Sequence, residues 1–239
     1  MKHLIRIGGM DVDVVRKDIK NLHIGVYPPN GRVRVAAPLL VDDDAVRLAV
    51  ISRLSWIKRQ KDHFKEQTRQ SKREYVRRES HYFLGQRYLL NVIEHSGRAK
   101  VEVRNPRRLD LYVPHGADAK QRERVLVEWY RRELKLRIPP LIKKWEEIIG
   151  VQVADWGVKR MKTKWGSCNR EARRIWLNLE LAKKPIECIE YVIVHEMVHF
   201  LERNHNERFV AQMDFFMPQW RLYRDELNRA PLNYENWIY

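Results

Sequence analysis

The stretch HEMVHFLERNH, His195 to His205, decides how this chain is read. On a helix His195 and His199 stand one turn apart on the same face, about 5–6 Å between Cβ atoms, where two imidazoles can meet one ion. Catalytic zinc sites take three protein ligands and leave one position for water, beside which the Glu of H-E-x-x-H serves as general base. Glu196 fills that place. The preceding residues IEYVIV, Ile189 to Val194, are mostly apolar and β-branched, which predicts a buried helix with no packing reason to carry a histidine. Three of the nine histidines fall within these eleven residues. The bland alternative is an amphipathic helix that carries histidines by chance, since a bare H-E-x-x-H recurs in unrelated chains.

A third ligand must come from beyond the helix. His205 lies ten residues after His195, and Asn204 can adopt the left-handed conformation that ends helices and would turn His205 back. The resulting H-E-x-x-H-x5-H spacing is shared with metzincins, which carry glycine where this chain has Glu202, so the turn must differ. Glu202, three residues after His199, is the reserve candidate for third ligand or for a group that orients one.

Upstream, RRIWLNLEL (Arg173 to Leu181) alternates, with Ile175, Leu177, Leu179 and Leu181 on one side and Trp176, Asn178 and Glu180 on the other. It is either an edge strand able to pair with an extended substrate or an interior strand. WGSCN (Trp165 to Asn169) reads as a turn between strands. Cys168 within it is a packing residue or a thiolate that could ligate zinc and hold an enzyme latent. Cys188 is expected in the core, as are Met213 and Met217 with Phe215, Phe216 and Trp220. Tyr191, Tyr223 and Arg208 are candidates to stabilise an oxyanion.

The first half reads differently. HLIRI, DVDVVRK, NLHIGVYP and RVRVAAP are expected strands, the last two joined by the hairpin signal PPNGR. From Asp42 to Thr68 the period becomes helical, with acidic capping residues and a stripe of Val46, Ala49, Val50, Leu54 and Ile57, so one long helix is expected. A meander over HYFLGQRYLLNVIE, AKVEVRN and RLDLYVP follows. A helix is then expected over Ala119–Ile149, kinked or split at Pro139-Pro140. A last helical region, Asn206 to Asn228, is interrupted at Pro218, and no internal repeat is visible.

Composition sets the class of partner. Lys and Arg number 47 against 31 Asp and Glu, a formal charge of +16 that favours anionic partners. Lys58 to Arg78 holds nine basic and three acidic residues, making Lys58, Arg59, Lys61, Lys65, Arg69, Lys72, Arg73, Arg77 and Arg78 candidate nucleic-acid contacts. Two cysteines without a C-x-x-C pair argue against a disulfide framework and for a reducing, cytoplasmic setting. No apolar run approaches the roughly eighteen residues of a membrane span, so no membrane partner is expected.

Taken together, RMKTKWGSCN, IWLNLELAKKPIECIEYVIVHEMVHFLERNHNERF and MPQWRLYRDELN resemble the YgjP-like metallopeptidase family, relatives of the SprT-like and WLM zinc proteases, over about residues 17–231. The resemblance implies a minimal zincin fold, one zinc per chain on His195, His199 and His205, and Glu196 as catalytic base. Members of that kind often lie beside type I restriction-modification genes, which points to DNA-linked biology. The expected architecture is α+β: a β-rich N-terminal lobe with one long helix, residues 1–116, and a zincin-like lobe carrying the HExxH helix, residues 117–239. The expected activity is zinc-dependent hydrolysis of protein or peptide substrates, with DNA-associated proteins as candidate targets. The rival is a basic nucleic-acid-binding protein with a structural or vestigial zinc.

Overall fold

Alternating apolar residues parted by turn signals build the first sheet: β1 (Lys2–Ile7), β2 (Met10–Lys17), β3 (His23–Tyr27) and β4 (Arg32–Pro38). The structure is a computed structural model that describes residues 2–27, 31–66, 74–104, 107–161 and 164–229. Gly8 and Gly9, both at positive φ, turn β1 into β2. The strand order is β1-β2-β4-β3, with antiparallel outer pairs and a parallel β2/β4 pair at the centre. Val12, Val14, Val33 and Val35 share a core with Val46 and Val50 of α1 (Asp43–Ser52) and Ile57 of α2 (Leu54–Glu66). Asp42 caps α1 by accepting from the Ala45 amide at 2.7 Å. The single long helix expected here is two: Arg53 leaves the helical basin at φ −111°, ψ 12°, and its amide turns to the carbonyls of Val50 and Ile51.

A second four-stranded sheet follows: β5 (Ser80–Phe83), β6 (Gln86–Glu94), β7 (Lys100–Arg104) and β8 (Arg108–Val113). It is not the expected meander, because β6 pairs in parallel with β8 and β7 lies outside, giving the order β5-β6-β8-β7. The first sheet's topology thus recurs without visible sequence repetition. Alternation supplies the same buried pattern with other residues: Leu90, Val92, Leu109 and Leu111 stand where the first sheet has Val12, Val14, Val33 and Val35.

The apolar face of β5–β8 is covered by α3 (Ala119–Ile149), whose buried Leu126, Trp129, Tyr130, Leu134 and Ile138 join Leu90, Leu109 and Leu111 in one core. The described residues therefore fall into two units parted between Lys72 and Arg73, and the boundary expected at 116/117 does not coincide with this division. A capping box at Asp118 and Gln121 starts α3, and Gly150, at φ 75°, ends it. Of the two outcomes expected, a kink or a split, the split does not occur: α3 runs through Pro139 and Pro140. Both prolines are exposed, as are Lys135 and Leu136, whose carbonyls lose their helical donors and face water instead.

The rest of the second unit is a three-stranded sheet, β9 (Asp155–Lys159), β10 (Gly166–Asn169) and β11 (Arg174–Asn178), then α4 (Ile186–Leu201), α5 (Glu207–Phe216) and α6 (Trp220–Arg229). The order β10-β11-β9 makes β11 interior and β10 an edge among the described residues. WGSCN is therefore largely strand rather than turn. The strand expected to reach Leu181 stops at Asn178, and Leu179–Lys183 form a 3-10 turn that still buries Leu179 and Leu181.

Asn178 is the reason the strand stops there. Its buried amide donates to the carbonyls of Met161 at 2.9 Å and Lys164 at 2.8 Å. Its side-chain oxygen accepts from the amides of Met161 and Glu180. Asn178→Ala should cost about 2–3 kcal/mol in urea unfolding, because several backbone groups lose their partner at once. An unchanged midpoint would show that water replaces the amide. Among the described residues no helix is long and apolar enough to cross a membrane.

Candidate metal centre

The α4 sequence is apolar on most faces, and Ile189, Val192, Ile193, Val194, Met197 and Val198 are all buried. That packing leaves His195 and His199 on the side that opens into a cleft of about 880 Å³. The third histidine returns by a tight turn. Glu202 leaves the helix in an extended conformation, φ −128° and ψ 120°, and its carboxylate accepts from the Asn204 amide at 3.2 Å. Asn206 then caps α5 by accepting from the Phe209 amide at 3.0 Å. The left-handed turn expected at Asn204 does not occur; an extended Glu202 and a capped α5 bring His205 back instead.

The three imidazoles converge through Nε2. His205 Nε2 lies 3.0 Å from the Nε2 atoms of both His199 and His195. The ring of buried Phe209 lies 4.6–5.0 Å, centroid to centroid, from all three. Phe209 was not anticipated; the Asn206 cap that orders it is visible in the sequence, but its position beneath the histidines is not. His199 Nδ1–H donates to the Glu202 carbonyl at 3.0 Å, which fixes the tautomer and leaves the Nε2 lone pair facing its neighbours. Burial, with His199 and His205 nearby, pushes the His195 pKa down to about 3, and burial lowers that of His199. Both are held neutral, the form a metal needs.

Three imidazole nitrogens at this spacing can share one cation. Tetrahedral zinc, with Zn–N about 2.0–2.1 Å, sets its nitrogens about 3.3 Å apart, so the donor set fits that ion closely. His205→Ala should lower zinc affinity by at least about 100-fold. Elemental analysis of tag-free protein is expected to find near one zinc per unsubstituted chain and little in the variant. Equal zinc in both would remove His205 from the ligand set.

Glu196 is buried beside the histidines, and burial pushes its carboxyl up to about 7 against the opposing Lys164 charge and a hydrogen bond from the Cys168 thiol. The Cys168 thiol is itself pushed up to about 11, first by burial and then by Glu196, so it stays protonated as the donor. Cys168 is not part of the converging group formed by the three histidines. Gly166 makes room for the carboxylate, since a Cβ there would lie 2.6 Å from Glu196 Oε1 and 2.8 Å from Val192 Cγ1.

The remaining candidates separate clearly. Glu202 orients His199 through its backbone carbonyl, while its carboxylate turns to Asn204. Tyr191 lines the cleft, its ring centroid 5.8 Å from that of His195; Tyr223 donates to Gln219, and neither it nor Arg208 lines the cleft. Met213, Met217, Trp220 and Cys188 lie in the core with Phe216 packed against it, but Phe215, also expected there, is exposed. Of the basic cluster, Lys58, Arg59, Lys61 and Lys65 lie on α2, and Lys58 and Arg59 are exposed. Arg69, Lys72 and Arg73 fall outside the described residues. Arg77 and Arg78 belong to the second unit, where Arg77 donates to the Val92 carbonyl at 3.2 Å.

Comparison with curated proteins finds no significant match. Among solved structures the chain is similar to the metallopeptidase zymogen of Pyrococcus abyssi abylysin, at 17% identity and a TM-score of 0.35, over 37% of this chain and 89% of that one. The YgjP-like metallopeptidase domain matches residues 20–230, nearly the whole sequence and all of the histidine centre. On that extent of match, the chain belongs to the YgjP-like metallopeptidase family.

Proposed function

We propose that this chain is a zinc-dependent peptidase with a zincin-like second unit, in which His195, His199 and His205 hold the metal and Glu196 is the general base. The observation that carries the proposal is three imidazole nitrogens converging beside one buried carboxyl on the wall of an open cleft. Zinc, when bound, polarises the scissile carbonyl and acidifies water. Glu196, poised near neutrality, takes the proton of the attacking water and passes it to the leaving amine. Tyr191, alone of the three oxyanion candidates in lining the cleft, is placed to steady the developing negative charge. β10, an edge strand among the described residues, offers main-chain hydrogen bonds to an extended substrate without demanding a side-chain sequence.

A structural zinc would call for a fourth protein ligand, and Cys168 is engaged with Glu196 instead. That weighs against the rival, a nucleic-acid-binding protein with a vestigial metal. Exposed Lys58 and Arg59 on α2 support a narrower form of the peptidase reading, in which the substrates are DNA-associated proteins. DNA affinity that falls steeply with salt would bear this out, and flat salt dependence would count against it. The test of the main proposal is metal removal. Chelation should abolish cleavage of a mixed-sequence fluorogenic peptide library, and one equivalent of zinc should restore it. A zinc-loaded chain that cleaves no member would end the peptidase reading.

A further inference from the structure

The cleft that holds the histidines is unbalanced in charge. Among the described residues, Lys164, Arg170, Arg203 and Arg224 line it, against Glu171 as the only acid besides Glu196. These cations come from separate segments: Lys164 precedes β10, Arg170 follows it, Arg203 lies in the turn after α4, and Arg224 sits on α6. Arg224 is largely neutralised, because its Nε and Nη2 both bond Asp225 at 3.0 Å. Among the described residues, Lys164, Arg170 and Arg203 have no ion pair to a carboxylate within 4 Å. Elsewhere in the same unit Arg137, Lys144 and Arg174 pair with Glu133, Glu190 and Asp155.

The simplest structural account is that Arg170 and Arg203 complement the negative end of α4, and Arg170 does donate to the Phe200 carbonyl at 3.2 Å. That bond uses one of the five guanidinium N–H groups and fixes the side chain while leaving the others for a ligand. It does not account for Lys164, whose charge also acts on Glu196, nor for the placement of Lys164 and Arg170 on either side of β10. Six positions separate them, about 20 Å if the chain is extended, the length of about six residues of a strand lying alongside. Concave walls with one sign of charge concentrate the field within the cleft.

We infer that the cleft selects peptide segments carrying carboxylate side chains within about three residues of the scissile bond on either side, held by Lys164 and Arg170 with Arg203 at the mouth. This rests on the peptidase reading and names the substrate class of the same site.

The test separates binding from hydrolysis. Zinc-loaded Glu196→Gln chain is titrated with three labelled ten-residue peptides that share a central Ala-Leu and carry acidic, neutral or basic flanks. The acidic peptide should bind at least about tenfold tighter than the neutral one at low salt, with the advantage shrinking as salt rises. Lys164→Glu and Arg170→Glu should each erase most of that preference. Lys135→Glu, on the exposed face of α3, makes the same charge change outside the cleft and should leave it in place. Equal binding of the three peptides, no binding of the acidic one, or an equal loss in Lys135→Glu overturns the inference. The unsubstituted zinc enzyme is then assayed on the same set. Acidic peptides bound but not cleaved would keep this inference and sink the peptidase reading; cleavage without charge preference would do the reverse.

Discussion

Glu196→Gln is expected to lower peptide hydrolysis by about 10²–10⁴-fold while zinc content stays that of the unsubstituted chain. Gln keeps the size of the side chain but cannot accept the proton of the attacking water, and the three imidazoles are untouched. The same substitution should stabilise the metal-free protein. Burial raises the carboxyl from its ordinary value of 4.5 to about 7, so across that window the folded chain retains a proton that the unfolded chain has released. The stability linked to that proton is fully present below the unfolded pKa and is lost as pH rises through the folded one. By pH 8 the buried carboxylate costs about 3 kcal/mol that Gln does not. Urea unfolding of the metal-free forms should favour Gln at pH 8 and show little difference near pH 4. Hydrolysis by the variant at the unsubstituted rate would remove Glu196 from the mechanism. A pH-independent difference in stability would mean that the carboxyl is not held in its protonated form.

Gly166→Ala is expected to reduce turnover by about 100-fold with zinc still bound, the scale of loss that follows when a reacting group is displaced by about 1 Å. Gly166 is not at positive φ, so backbone freedom is not the reason for glycine here. Space is the reason. The added Cβ would meet Glu196 Oε1 at 2.6 Å, Glu196 Cγ at 2.9 Å and Val192 Cγ1 at 2.8 Å. Val192 is β-branched and buried on α4, so it yields poorly, and the Glu196 side chain moves instead. Zinc content by elemental analysis and turnover at saturating peptide separate displacement of the base from loss of the metal. Full activity in Gly166→Ala would show that β10 or α4 shifts without disturbing the carboxylate.

What the sequence determined by itself was local. The pairing of His195 with His199 one turn on, with Glu196 beside them on an apolar helix, follows from helical periodicity, as do the α5 and α6 segments on either side of Pro218, while the strands of the first sheet follow from alternation. His205 was legible as a candidate through its spacing. Its route was not, because the turn depends on Glu202 and Asn206 bonding to backbone rather than on the conformation of Asn204.

Tertiary structure decided the rest. Alternation says that β5–β8 are strands with one apolar face, but not that β6 and β8 lie side by side or that α3 covers them. Pairing order and the covering partner are settled only when whole faces compete for burial. The prolines of α3 are tolerated because the fold turns that side to water. Gly166, Phe209 and the cations Lys164 and Arg170 gained their relation to the histidines in the same way, through β10 and α5 packing on α4. A helix period places side chains on one face of one element. Which atoms face them across the cleft is decided by long-range burial, and no local pattern of residues records it.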